Sequence, residues 1–136
     1  MENEIILTRE DIIGYKTLKR EKVVIPEIKE GAVVFISEMT AADRDEFEYE
    51  TFIKGNPDVG IGIDTKDKTK MLSPMKNIRA ALVAKTAVDE NGKRLFTSKD
   101  VEALGKIAAK PIDRMFEVAQ RLNGMKKEDL EVVVKN

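Results

Sequence analysis

The chain has 136 residues, of which 42% are hydrophobic and 36% charged, enough for one soluble domain with a real core beneath a heavily charged surface. Lysine and arginine number 24 against 25 acidic residues, so no net field draws the chain onto nucleic acid or anionic lipid. Histidine and cysteine are absent, which removes Ser-His-Asp and Cys-His catalysis and the usual ligands of zinc, haem and iron–sulfur centres.

The N-terminus, MENEIILTRED, is acidic where a secretory signal would be basic. No apolar run approaches the roughly 18 residues of a membrane span. These features lead us to expect an intracellular protein with no membrane partner. Thr8 followed three residues later by Asp11 has the form of a capped helix start, and Gly14 weakens the short helix that follows. Residues 22–37, KVVIPEIKEGAVVFIS, predict a β-hairpin with its turn at Lys29, Glu30 and Gly31. Pro26 cannot donate to a ladder, so the first strand is expected to be an edge or to end there.

Thr40 and Asp43 repeat the hydroxyl-plus-acid start, and the helix they open is expected to run to about Ile53. At ~100° per residue, Tyr49, Phe52 and Ile53 share a face with Ala42, while Phe47 points nearly the opposite way. Phe47 therefore either packs on the hairpin or meets a partner. The stretch 54–72 is rich in Gly, Lys and Asp, lacks helical period and reads as a mobile loop, with a short strand possible at 61–63. Ser73 and Pro74 then open a helix carrying Met75, Ile78, Leu82 and Thr86 at helical spacing.

Asp89, Glu90, Asn91 and Gly92 join that helix, through a short extended piece, to Arg94, Leu95 and Phe96. An Asn-Gly pair favours positive φ and a tight turn. Thr97 or Ser98 caps the next helix, whose expected apolar stripe is Val101, Leu104 and Ala108, and Lys110-Pro111 is expected to break it. Pro111 opens the clearest helix of the chain, with Ile112, Met115, Phe116, Ala119 and Leu122 on one face and a Glu117–Arg121 pair on the other. Asn123 and Gly124 supply its stop. In the tail, 126–136, the three valines at 132–134 argue against a further helix. The predicted architecture is α+β: a mostly helical single domain over 1–136, with four to five helices, an N-terminal hairpin and a long central loop. Its parts are 1–37, 40–53, the loop 54–72, the helical 73–125 and the tail 126–136.

Motif chemistry is sparse. Counted from Asp89, the glycine is fourth and the twelfth residue is Asp100, which does not fit a calcium loop; a connecting turn is the better reading. Gly55, Gly60 and Gly62 lack the Lys-Ser/Thr of a phosphate loop and the spacing of a dinucleotide fingerprint. Asp43 and Asp45 form a carboxylate pair in a first helical turn, where the dipole alone accounts for them. Pro57-Asp58 followed by Asp64-Thr65-Lys66 resembles the metal-dependent nuclease pattern, in which two acids hold Mg²⁺ and a lysine orients water. The separation is short for two ordered strands, so a nuclease using Asp58, Asp64 and Lys66 is the weaker alternative.

The arrangement of elements carries more information. The segment 38-EMTAADRDEFE-48 after a hairpin, together with residues 78–125, resembles the tail assembly chaperones of tailed bacteriophages and prophages. Three features carry the likeness. The first is the Arg79, Leu82, Val83 helix running into Val88-Asp89-x-x-Gly92-x-Arg94-Leu95-Phe96. The second is the capped helix with Asp100, Val101, Leu104 and Gly105, and the third is Asp113-Arg114-x-Phe116-x-x-Ala119-x-x-Leu122. Lys126-Lys127 departs from the small polar cap expected before a last helix. The resemblance implies a non-enzymatic chaperone without cofactors, acting in the host cytoplasm and absent from the mature virion. Its implied partner is the tape-measure protein, with the tail-tube protein, a frameshifted long form and further copies of itself as additional candidates. Phe47, Arg114, Met115, Arg121, Met125 and Lys127 are the expected contact residues, with Phe116 either core or contact. A structural tail protein of the virion is the main alternative.

Overall fold

The computed structural model describes residues 3–53 and 77–125. The central segment holding Asp58, Asp64, Lys66, Ser73, Pro74 and Met75, the strand considered at 61–63, and the tail with Lys127 lie outside these residues. In chain order the described elements are α1 (Arg9–Ile13), β1 (Arg20–Val24), β2 (Val33–Ser37), α2 (Ala41–Glu48), α3 (Ile78–Thr86), β3 (Ala87–Val88), α4 (Val101–Leu104) and α5 (Ala109–Leu122). A π-helical turn, Tyr49–Ile53, continues α2, and a 3₁₀ turn, Ser98–Asp100, precedes α4. The architecture is α+β, as the sequence predicts.

The sheet is antiparallel in the order β1-β2-β3. Its hairpin register runs from Arg20↔Ser37 to Val24↔Val33, and Phe35 and Ile36 of β2 pair with Val88 and Ala87 of β3. β1 is an edge strand and ends at Val24, just before Pro26. Alternation sends Val23, Ile36 and Ala87 into the core and leaves Arg20, Lys22, Val24 and Val33 facing out. The third strand is not assigned by the sequence reading, because two residues are too few to show a period.

α3 is buried on nearly every side. Of its nine residues, Ile78, Ala80, Leu82, Val83, Ala84, Lys85 and Thr86 are inside. Its surroundings are the sheet, α2, α4 and α5. Thr86 fits this setting because its hydroxyl donates to Leu82 O at 2.8 Å. Removing one large aliphatic side chain from water is worth about 1.5–3 kcal/mol, so α3 supplies much of the apolar gain of the fold.

The core decides which helix faces turn inward, and for Phe47 it is the packing alternative that holds. Phe47 is 0% exposed and belongs to the core cluster, whereas Ala42 and Tyr49 are exposed. Phe47 is the largest apolar side chain within α2 itself, so that helix can bury a useful face only by turning Phe47 inward. Met115 and Met125 are also core, and Phe116 packs against the same cluster at partial exposure. None of Phe47, Met115 and Met125 can serve as an exposed contact without disturbing the core.

The break before the last helix falls earlier than expected. α4 ends at Gly105, Ala108 is exposed beyond it, and α5 begins at Ala109 with Pro111 inside its first turn. The N–H groups of a first turn have no intrahelical acceptor, so proline loses nothing there. At the other end, Asn123 ties three elements together. The Met39 N–H donates to Asn123 Oδ1 at 2.6 Å, Arg44 Nη1 donates to Asn123 O at 2.9 Å, and Asn123 Nδ2 donates to Ala119 O at 2.9 Å. Gly124 follows at φ +64, where a side chain would be strained.

Truncating Leu82 to Ala is expected to cost about 3 kcal/mol, within the range for fully buried leucines. Ile12→Ala, in the exposed α1, is expected to change stability by less than about 0.5 kcal/mol. Urea unfolding of the two variants tests this, and equal effects would contradict the assignment of α3 to the centre.

Candidate interaction surface

The Asp89 turn is a bend held by its own carboxylate. Asp89 Oδ1 accepts from the N–H groups of Asn91 at 2.8 Å and Lys93 at 2.9 Å, and Gly92 takes φ +83. The hydrogen bond from the Lys93 amide holds the Asp89 pKa below its ordinary value, with the Asn91 amide and the charges of Lys93 and Arg20 adding to it against partial desolvation. The turn returns the chain so that Val88 bridges Arg94, and Arg94 Nη2 meets Asp43 Oδ1 at 2.8 Å. Asp43 thus has a structural partner, in line with its place in the first turn of α2.

Arg114 and Arg121 project from α5 towards the hairpin. Arg114 makes a bidentate pair with Glu27 and also donates from Nη1 to Val24 O at 3.2 Å. Arg121 Nη2 donates to Glu21 Oε2 at 2.6 Å, in place of the expected pair with Glu117. The sequence favours the local Glu117 pair because only i,i+4 partners are visible there. The fold lays α5 along β1 and brings a closer acid into reach. Such pairs add little energy at a surface, but two of them, one to β1 and one to the hairpin loop, fix how α5 lies against the hairpin. Of the residues expected to meet a partner, Arg114 and Arg121 therefore act as struts, Phe47, Met115 and Met125 are core, and Lys127 lies outside the described residues.

The apolar surface lies elsewhere. Val24 and Val33 are register partners on the outward face of the hairpin, at 55% and 47% exposure, and Ile28 is exposed in the connecting loop. Next along the same face, Arg20 and Lys22 lie over the Phe35 ring at 5.2 and 5.9 Å from its centroid. A second apolar region is the N-terminal arm, residues 3–18. All of it is exposed, including Ile5, Ile6, Leu7, Ile12, Ile13, Tyr15 and Leu18. Thr8 and Asp11 close a reciprocal capping box, yet α1 buries no residue. Contiguous exposed apolar surface of this kind marks an interaction site. Sequence reasoning missed both regions, because alternation shows which residues share a face but not which face is covered.

The described residues offer little for catalysis. No group of three or more acidic side chains among them could hold a metal ion, and no helix of theirs is long and apolar enough to cross a membrane. A cavity of about 200 Å³ lies between the start of α3 and α5, lined by Ile78, Leu104, Ile107 and Ile112 among others. Its charged rim pairs with itself, Arg79 Nε standing 3.3 Å from Asp113 Oδ1.

Against known proteins, this fold is similar to a solved structure, that of the bacteriophage HK97 tail assembly chaperone. The match covers 77% of this chain and 85% of that one, with a TM-score of 0.51 and 18% sequence identity. The two chains share a fold. No protein-family model and no curated protein matches the sequence.

The Arg114 guanidinium holds the Glu27 carboxyl down to about 2, chiefly through its hydrogen bonds. A carboxylate with a depressed folded pKa favours the fold above its unfolded value of 4.5, and that contribution is lost as pH falls from there towards about 2. In Arg114→Gln the Glu27 pKa is expected to rise from about 2 towards its ordinary value, and the acid side of the stability profile should flatten between pH 4.5 and 2. NMR titration of the Glu27 side chain checks this; an unchanged pKa in the variant would rule out the pair as its cause.

Proposed function

We propose that this chain is a non-enzymatic tail assembly chaperone that binds a tape-measure protein and keeps it soluble until the tail tube forms around it. The observation that carries this reading is the fold shared with the HK97 tail assembly chaperone, over most of both chains. The physical requirement is simple. A long, mostly helical client with apolar stripes aggregates unless those stripes are covered, and a reversible cover needs exposed apolar surface on a stable framework.

The hairpin end meets that requirement. Val24 and Val33 stand exposed on the strand pair and Ile28 in its loop, and the hairpin is tied to α5 by Glu21–Arg121 and Glu27–Arg114. A client helix laid there would bury apolar side chains while Arg20 and Lys22 meet its acids. We place client contact on this surface, not on Met115 or Met125, which are core. Action in the bacterial cytoplasm, absence from the finished particle and contact with the tube protein belong to the same proposal.

Co-expression with the long helical protein encoded beside it tests the proposal. The client is expected to become soluble and to co-purify with the tagged chain. Val24→Glu combined with Val33→Glu is expected to reduce the recovered client at least tenfold while leaving the chain folded. A client that stays insoluble beside a folded wild-type chain would overturn the chaperone reading and favour a structural tail protein, which purified particles would retain.

A further inference from the structure

The N-terminal arm poses a separate question, which does not rest on the chaperone reading. Residues 3–18 are exposed throughout, and among the described residues their hydrogen bonds stay within the segment. A five-residue helix does not persist in water by propensity alone, and Ile5 and Ile6, at 84% and 87% exposure, have nothing to bury them. The arm is built to be covered, and the chain itself carries the surface that complements it.

That surface is the outer edge of β1. The ladder bonds from Glu38 N to Lys19 O and from Ile25 N to Ala32 O show that the odd-numbered residues face β2. By antiparallel alternation, the N–H and C=O groups of Arg20, Lys22 and Val24 point away from the sheet. Arg114 occupies Val24 O, and among the described residues nothing else pairs with the edge at Arg20 and Lys22. An exposed edge of this kind is a template for another strand. Its charge fits the arm. Residues 3–11 carry Glu4, Glu10 and Asp11 against the single base Arg9. Residues 16–22 carry Lys16, Lys19, Arg20 and Lys22 against the single acid Glu21, which faces inward to Arg121.

We propose that residues 4–8 of one copy add as a strand to the open outer edge of β1 in a second copy, so that the arms link copies of this chain. Main-chain bonds to Arg20 and Lys22 set the register. Alternate residues of the added strand then share a side, placing Glu4 and Ile6 beside the basic, apolar outward face that holds Lys22, Phe35 and Val24. The arm's acids and the edge's bases pair across copies, so association weakens as salt rises.

Sedimentation and light scattering on the full chain test this. At about 100 μM and low salt the wild type is expected at a multiple of 15.3 kDa, shifting towards the monomer in high salt. Deleting residues 3–13 is expected to give a folded monomer, since the arm buries nothing. Lys22→Pro is expected to do the same, because it removes an outward N–H without breaking the bond to β2. The two monomeric variants mixed together are expected to form a one-to-one complex, as the first keeps the edge and the second keeps the arm. Circular dichroism and thermal melting confirm that both remain folded; if Lys22→Pro is unfolded, Arg20→Glu with Lys22→Glu takes its place. A monomeric wild type, association that survives both changes, or folded variants that stay monomeric on mixing would each overturn the proposal. So would an arm that gains protection from exchange only when a client protein is added.

Discussion

The fold depends on the burial of α3. A nine-residue helix with seven residues inside needs apolar cover on several sides at once, and the other elements supply it. The sheet provides Val23, Ile36 and Ala87, α2 provides Phe47, and α5 provides Ile112, Met115 and Ala119. The charge within this helix sharpens the constraint. Lys85 is buried, and desolvation lowers its pKa, with Arg94 adding to the effect and Asp43 opposing it. Its ammonium is matched by Glu46 and, at 3.5 Å, by Glu50. A buried cation without such partners costs several kcal/mol, so the pairing fixes how α2 and its π-helical turn approach α3.

Filling the inner face has a consequence for function. With Phe47, Met115 and Met125 committed to the core, most of the exposed large apolar residues among those described lie on the hairpin end and on the arm, with Tyr49, Leu95 and Ile107 scattered elsewhere. The struts Arg114–Glu27 and Arg121–Glu21 then matter because they hold the hairpin rigid from behind while its front stays free. This is the arrangement a reversible binder needs: a framework that does not rearrange and an apolar surface that costs little to expose and little to release. The arm is separable from that framework, since removing it takes away no core contact.

Much of the framework was legible in the sequence. The caps at Thr8, Thr40 and Thr97, the strand pair, the Asp89 turn and the broad face of α5 are local patterns, and each is present. What the sequence did not disclose is long-range. Arg121 reaches Glu21, one hundred positions away, in preference to its helical neighbour. Phe47 is an isolated apolar residue on a charged helix, and its direction is decided by the sheet and α3, not by its own period. The proline at 111 misled because a first-turn position and a helix break look alike until the start of the helix is known. The interaction surface was the least legible part. Methionine, arginine and phenylalanine have partner-like chemistry, but the fold uses Phe47, Met115 and Met125 in its core and pairs Arg114 and Arg121 with the hairpin.

In the proposed function a rigid core centred on α3 presents the hairpin end to an apolar client. Hydrogen exchange of the chain, alone and bound to the long helical protein encoded beside it, tests that claim most directly. The account predicts added protection across residues 24–33 on binding, with the slowly exchanging amides of α3 unchanged. Protection centred on α3 and α5, with residues 24–33 unaffected, would contradict it and mean that the core opens to receive the client.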